Sequence, residues 1–143
     1  MQVKRIMVCL DGSKNSLRGL DTAIKFAKQL NATIVGVYSE TTHGTITAVH
    51  LPKIREEKWS DETRGILSRA RKKTESKDIP FEGIAIAGRS AGIDLATFAN
   101  NPRNRIDQIV IGARGMSFPK AIFLGSTSNF VLHKAKAPVT IVK

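Results

Sequence analysis

The chain has 143 residues, the length of one domain with a single core, and its 41% apolar content excludes wholesale disorder. Twenty-three Lys and Arg against twelve Asp and Glu give a net charge of +11, a field that draws anions. No apolar run approaches the roughly 18 to 20 residues of a membrane span, and the basic residues are spread along the chain without a zinc-finger or basic-aromatic RNA-binding motif, so no membrane and no specific nucleic-acid partner is expected.

Residues 3–10, VKRIMVCL, read as a first strand. The run ends at Asp11, too early and too polar for a signal peptide, so a cytoplasmic location is expected. Cys9, the single cysteine, lies inside this strand and reads as a buried, inert thiol. From Lys14 to Leu30, Leu17, Leu20, Ile24, Ala27 and Leu30 form one stripe at helical spacing, with Ser13 as N-cap and Asn31 as stop. Residues 32–40, ATIVGVYSE, predict the second strand, and a polar loop of no clear type follows. Residues 53–77 predict a charged, exposed helix with a thin stripe of Ile54, Ile66, Leu67 and Ala70. Then come a third strand over 81–88, a short helix over 91–100, a fourth strand over 106–113, a last helix from Ser126 to Lys136 and a terminal strand over 139–142.

Strands alternating with helices predict one α/β domain over residues 1–143, a parallel five-stranded sheet covered on both faces. Right-handed crossovers make it open and doubly wound; if the winding starts from the first strand and reverses at the fourth, the strand order is 3-2-1-4-5. Ligands on such sheets bind at the carboxyl ends of the strands where the winding reverses. Asp11 and Gly112 end the first and fourth strands, so this topology makes them neighbours.

Gly112, Gly115 and Gly125 are spaced G-x2-G-x9-G, with Ser126, Thr127 and Ser128 directly after and Arg114 and Lys120 between. Glycines let backbone N–H groups turn inward around an anion, and a helix start presents N–H groups and a positive dipole end. Taken alone, this stretch serves equally well as a plain strand-to-helix connection capped by Ser126. It is neither a Walker A loop nor the dinucleotide fingerprint. Asp11, in MVCLDGS, fits a ligand contact, and taken alone fits better an Asx-type turn before the helix.

Together these stretches resemble the universal stress protein family over nearly the full chain. The start, IMVCLDGSKNSLRGLDTAIKFAKQLNATIVGVYSE, has that family's look, as do IDQIVIGARG and GSTSNFVLHKAKAPVTIVK. The G-x2-G-x9-G-[ST] spacing is the family's ATP-binding signature. The resemblance implies a Rossmann-like fold and an adenine nucleotide as ligand: ATP, with AMP or cAMP as alternatives and Mg²⁺ only as the phosphates' counter-ion. It places Asp11 near the adenosine, the backbone of Val37 against adenine and Gly112 against the ribose. Gly115, Gly125, Ser126 and Thr127 then cradle the phosphates, with Arg114 and Ser128 as additions. It also implies a homodimer through the edge strand 139–142. Cys9, Arg89 and Thr127 depart from the commonest family residues, and none of the three removes a phosphate donor.

No general base for hydrolysis is legible, so the expected output is nucleotide-controlled stability or partner binding in a stress response. A slow ATPase or autophosphorylating enzyme, and a nucleotide-free interaction module, are the alternatives. His43 and His50 are too few for a metal site. A receiver domain is excluded because Asp11 lacks acidic neighbours and the third strand ends without an aspartate.

Overall fold

A computed structural model of the chain describes residues 2–41, 52–88, 90–114 and 124–143. The elements run β1 (Arg5–Cys9), α1 (Lys14–Leu30), β2 (Thr33–Thr41), β3 (Lys53–Ile54), α2 (Asp61–Glu75), β4 (Phe81–Gly88), α3 (Ala91–Asn100), β5 (Gln108–Gly112), α4 (Ser126–Lys134) and β6 (Val139–Val142). They form one sheet in the order β3-β4-β2-β1-β5-β6. Five of these strands are parallel neighbours and follow the order expected from the sequence. The sixth, β3, is antiparallel to β4 and pairs Lys53 with Ile86 and Ile54 with Ala85. The sheet is therefore mixed and six-stranded rather than parallel and five-stranded.

β3 occupies the start of the segment whose composition predicts a helix over 53–77. Two paired residues are too few to show a period of two. Helix α2 starts eight residues later, at Asp61, where the Ser60 side chain accepts from the Thr63 N–H, and Asp61 and Glu62 suit its positive end. α1 keeps its expected bounds, because Ser13 caps it and Asn31 closes it in the left-handed conformation (φ 54°).

Period two sorts each strand's side chains to the two faces. Ile6 and Val8 of β1 join Leu20, Ile24, Leu67 and Ala70 under α1 and α2. Met7 and Cys9 join Leu95, Phe98 and Val131 under α3 and α4. Each fully buried Leu, Ile or Val contributes about 1.5–3 kcal/mol of transfer free energy. Both faces of β1 are thereby sealed, and chemistry is confined to the strand ends. The register of β1 with β5, Met7 opposite Ile109 and Val8 opposite Val110, sets the end of β1 beside the end of β5.

A candidate nucleotide crevice at the strand ends

The carboxyl ends of β1, β2 and β5 open into a crevice of about 580 Å³, its open mouth included. The end of β1 contributes Cys9, Leu10, Asp11 and Ser13; β2 contributes Tyr38 and Ser39. The far wall is Gly112 and Arg114 after β5, with Gly125, Thr127 and Ser128 at the start of α4.

Asp11 is exposed, and its Oδ1 accepts from the Ser13 N–H at 2.8 Å. This is the Asx turn that its sequence context suggests. Gly12 follows with φ +82°, a left-handed position at which a side chain is strained. The turn aims the Asp11 carboxylate at the crevice and starts α1 at the same time.

The connection after β5 is tied down at three points. Asn15 Nδ2 donates to the Arg114 carbonyl at 2.9 Å. The Gly125 N–H donates to the Ala113 carbonyl at 2.7 Å. Buried Ser128 donates its hydroxyl to the same carbonyl, also at 2.7 Å. The two ends of the glycine-containing segment are thus clamped together. A hydroxyl has one hydrogen, so Ser128 in this arrangement braces the segment. Gly125 is the N-cap of α4 and brings no side chain to it. The N–H groups of Ser126, Thr127 and Ser128 have no partner inside the helix. Of these three residues, Thr127 and Ser128 line this end of the crevice.

Asp11, Gly112, Arg114, Gly125, Thr127 and Ser128 therefore share one crevice. Ser126 is exposed and lies outside its lining. Val37 is fully buried among the α3/α4 core, and its carbonyl accepts from the Leu10 N–H at 2.9 Å. The crevice is lined instead by the next two residues, Tyr38 and Ser39. Gly115, Lys120, Arg89, His43 and His50 lie outside the described residues. Among the described residues no group of three or more His, Cys, Asp or Glu is placed to hold a metal.

Sequence reasoning passed over Ser39 and the side chain behind it, Asp94. Ser39 Oγ donates to Asp94 Oδ2 at 2.7 Å, and Asp94 is 2% exposed. The signal was available. Ser39 continues the period of Val35 and Val37, and Asp94 is the one acid in the otherwise uncharged AGIDLATFAN.

Burial raises the phenol pKa of Tyr38 above its ordinary value, and the carboxylates of Glu62, Glu40 and Asp11 add to the rise. Burial, with a smaller effect from Asp11, pushes the Cys9 thiol from 9.0 up to about 12. Because the folded pKa is the higher one, this contribution to stability is full below about pH 9 and is lost as the pH climbs towards 12. Cys9 is expected to ignore a thiol reagent at pH 8 in the native protein and to react fully in denaturant. The urea midpoint is expected to fall as the pH is raised from 9 to 11.

The universal stress protein family model matches residues 2–143. Universal stress protein YxiE of Bacillus subtilis is 31% identical over 153 residues, covering 97% of this chain and 98% of that protein. A universal stress protein solved in complex with cAMP superposes with a TM-score of 0.76 at 22% identity, over 100% of this chain and 99% of that one. The universal stress protein from Archaeoglobus fulgidus in complex with dAMP gives a TM-score of 0.70 at 23% identity, with both chains fully covered. At such identities the two structures show the fold.

Proposed function

The chain belongs to the universal stress protein family, and we propose that it is an adenine-nucleotide-binding member, with ATP as the principal ligand. The observation that carries this reading is the meeting of three features in one crevice: the Asp11 turn, the end of β5 at Gly112, and the uncapped start of α4. Similar folds were solved with cAMP and with dAMP, which supports an adenine nucleotide as the ligand class.

The crevice suits the ligand in order across the sheet. Phosphates meet the N–H groups of Ser126 and Thr127 and the close backbone approach at Gly125, with Gly115 completing the cradle. The positive dipole end of α4 and the charge of Arg114 favour an anion there. The ribose lies between Asp11 and Gly112. The base lies at the β2 end, where Tyr38 and Ser39, rather than buried Val37, form the wall. Mg²⁺ enters only with the phosphates.

Nucleotide binding then acts through stability, because a ligand held by the folded state alone stabilises it by mass action. The protein works in the cytoplasm as a homodimer. β6 is the last strand of the sheet, and its residues 139–142 pair with the same strand of a second copy. The nucleotide reading is tested by melting the protein against a panel of adenine nucleotides.

A further inference from the structure

We propose that Ser39, held by Asp94, is a hydrogen-bond acceptor that selects a purine carrying an amino group at its 6-position over one carrying a carbonyl there. This rests on the nucleotide reading of the crevice and adds what distinguishes one base from another.

The period of two along β2 turns Ser39 to the same side as Val35 and Val37, towards α3. There its hydroxyl meets the Asp94 carboxylate at 2.7 Å. A carboxylate only accepts, so the single hydroxyl hydrogen of Ser39 is committed to it, in a charge-assisted bond stronger than a neutral one. Towards the crevice Ser39 then offers lone pairs and no donor. It is a fixed acceptor, whereas an ordinary serine rotates to suit either partner.

The surroundings hold Asp94 in place. A Cβ on Gly88 would overlap its carboxylate, so glycine at that position leaves the space Asp94 fills. The neighbouring core side chains of α3, Leu95, Phe98 and Ala99, are apolar. An apolar residue at 94 would pack there without the cost of burying a carboxylate. Among the described residues, the hydrogen bond to Ser39 is what the charged residue adds.

Position in the sheet says which part of a ligand meets Ser39. β2 and β5 flank β1, so their ends stand about 10 Å apart, two strand spacings. With phosphates at the start of α4, beyond β5, the base reaches the end of β2. An amino group donates to Ser39, while a 6-carbonyl sets acceptor against acceptor. A buried polar group left unpaired in this way lowers affinity about tenfold or more.

The test is isothermal titration of AMP, IMP and 2′-deoxy-AMP into wild type, Ser39→Ala and Ser39→Ala/Asp94→Ala. The double variant removes the carboxylate that the single one leaves unpaired. Wild type is expected to prefer AMP to IMP, and both variants are expected to reduce that preference by about tenfold. The AMP to 2′-deoxy-AMP ratio is expected to stay unchanged. If AMP binds all three proteins with the same preference over IMP, the inference is wrong and the nucleotide reading stands. If the variants change only the AMP to 2′-deoxy-AMP ratio, Ser39 reads the ribose and the inference is overturned. If wild type binds none of the three, this inference is overturned, and the nucleotide reading stands or falls with the melting panel that includes ATP.

Discussion

Gly112→Ala is expected to lower stability by about 1–3 kcal/mol with no ligand present, the usual cost of forcing extra volume into a packed site. An added Cβ would stand 2.8 Å from both the carbonyl carbon and the oxygen of Asn15. Those atoms are backbone in the first turn of α1 and cannot rotate away. The helix must lift from β5, and Asn15 then loses its reach to the Arg114 carbonyl. Gly19 is the matching control on the opposite side of the same crossing. A Cβ there meets the Gly112 nitrogen at 3.6 Å, an ordinary contact. Gly19→Ala is therefore expected to be neutral or to stabilise α1 by about 0.5–1 kcal/mol through helix propensity. Urea unfolding followed by circular dichroism checks both. Equal midpoints for the two variants would mean that α1 and β5 are not packed as described. Gly112 consequently has a role in the fold before any role towards a ribose, and weakened nucleotide binding by Gly112→Ala would not by itself identify a ligand contact.

Gly88→Ala is expected to cost about 2–3 kcal/mol for a different reason. The new methyl would overlap the Asp94 carboxylate. Asp94 must turn away, which breaks its bond to Ser39 and leaves a buried charge without that partner. Since a side chain rather than backbone is in the way, a second change can relieve the clash. Gly88→Ala/Asp94→Ala is expected to be more stable than Gly88→Ala alone, with a coupling of about 1–3 kcal/mol in the double-mutant cycle. Additive effects would show that the two positions do not touch. The same cycle read through AMP and IMP binding links this packing to base choice.

Much of the architecture was legible because several signals agreed locally. Ser13, the apolar stripe and Asn31 define α1 residue for residue. Phe81–Gly88 and Ala91–Asn100 stand where the pattern puts them. The order of the five parallel strands is the one expected for a sheet wound outward from the first strand and reversing at the fourth. The failures have physical causes. β3 is two residues long and held by β4, so its identity lies in a tertiary partner rather than in its own pattern. α2 starts at Asp61 rather than at residue 53 because the Ser60 cap, and not the charge density, sets the boundary.

The candidate site was legible as a set of motifs and less so as geometry. Spacing alone left residues 112–130 equally a connection or a cradle. The fold adds that Gly125 caps α4 without a side chain and that Asp11 faces it across the end of β1. It also divides the hydroxyls by role. Ser128 is buried and bonded to Ala113, Thr127 lines the crevice, and Ser126 is exposed. Three adjacent hydroxyl residues look alike in sequence, and only the helix phase separates them. The Asp94–Ser39 pair was hidden because its members are 55 residues apart.

Thermal melting with ATP, ADP, AMP and cAMP, each with and without Mg²⁺, tests the central claim most directly. A ligand at a hundred times its Kd adds about 2.7 kcal/mol, which for a domain of this size is on the order of 10 °C in Tm. At least one of these nucleotides, ATP foremost, is expected to raise Tm in a concentration-dependent way. Gly125→Val is expected to remove the rise, and φ −73° at Gly125 adds no backbone strain to the change; the melting curve without ligand reads whether the variant folds. No change in Tm with any of the four nucleotides at millimolar concentration would contradict the account.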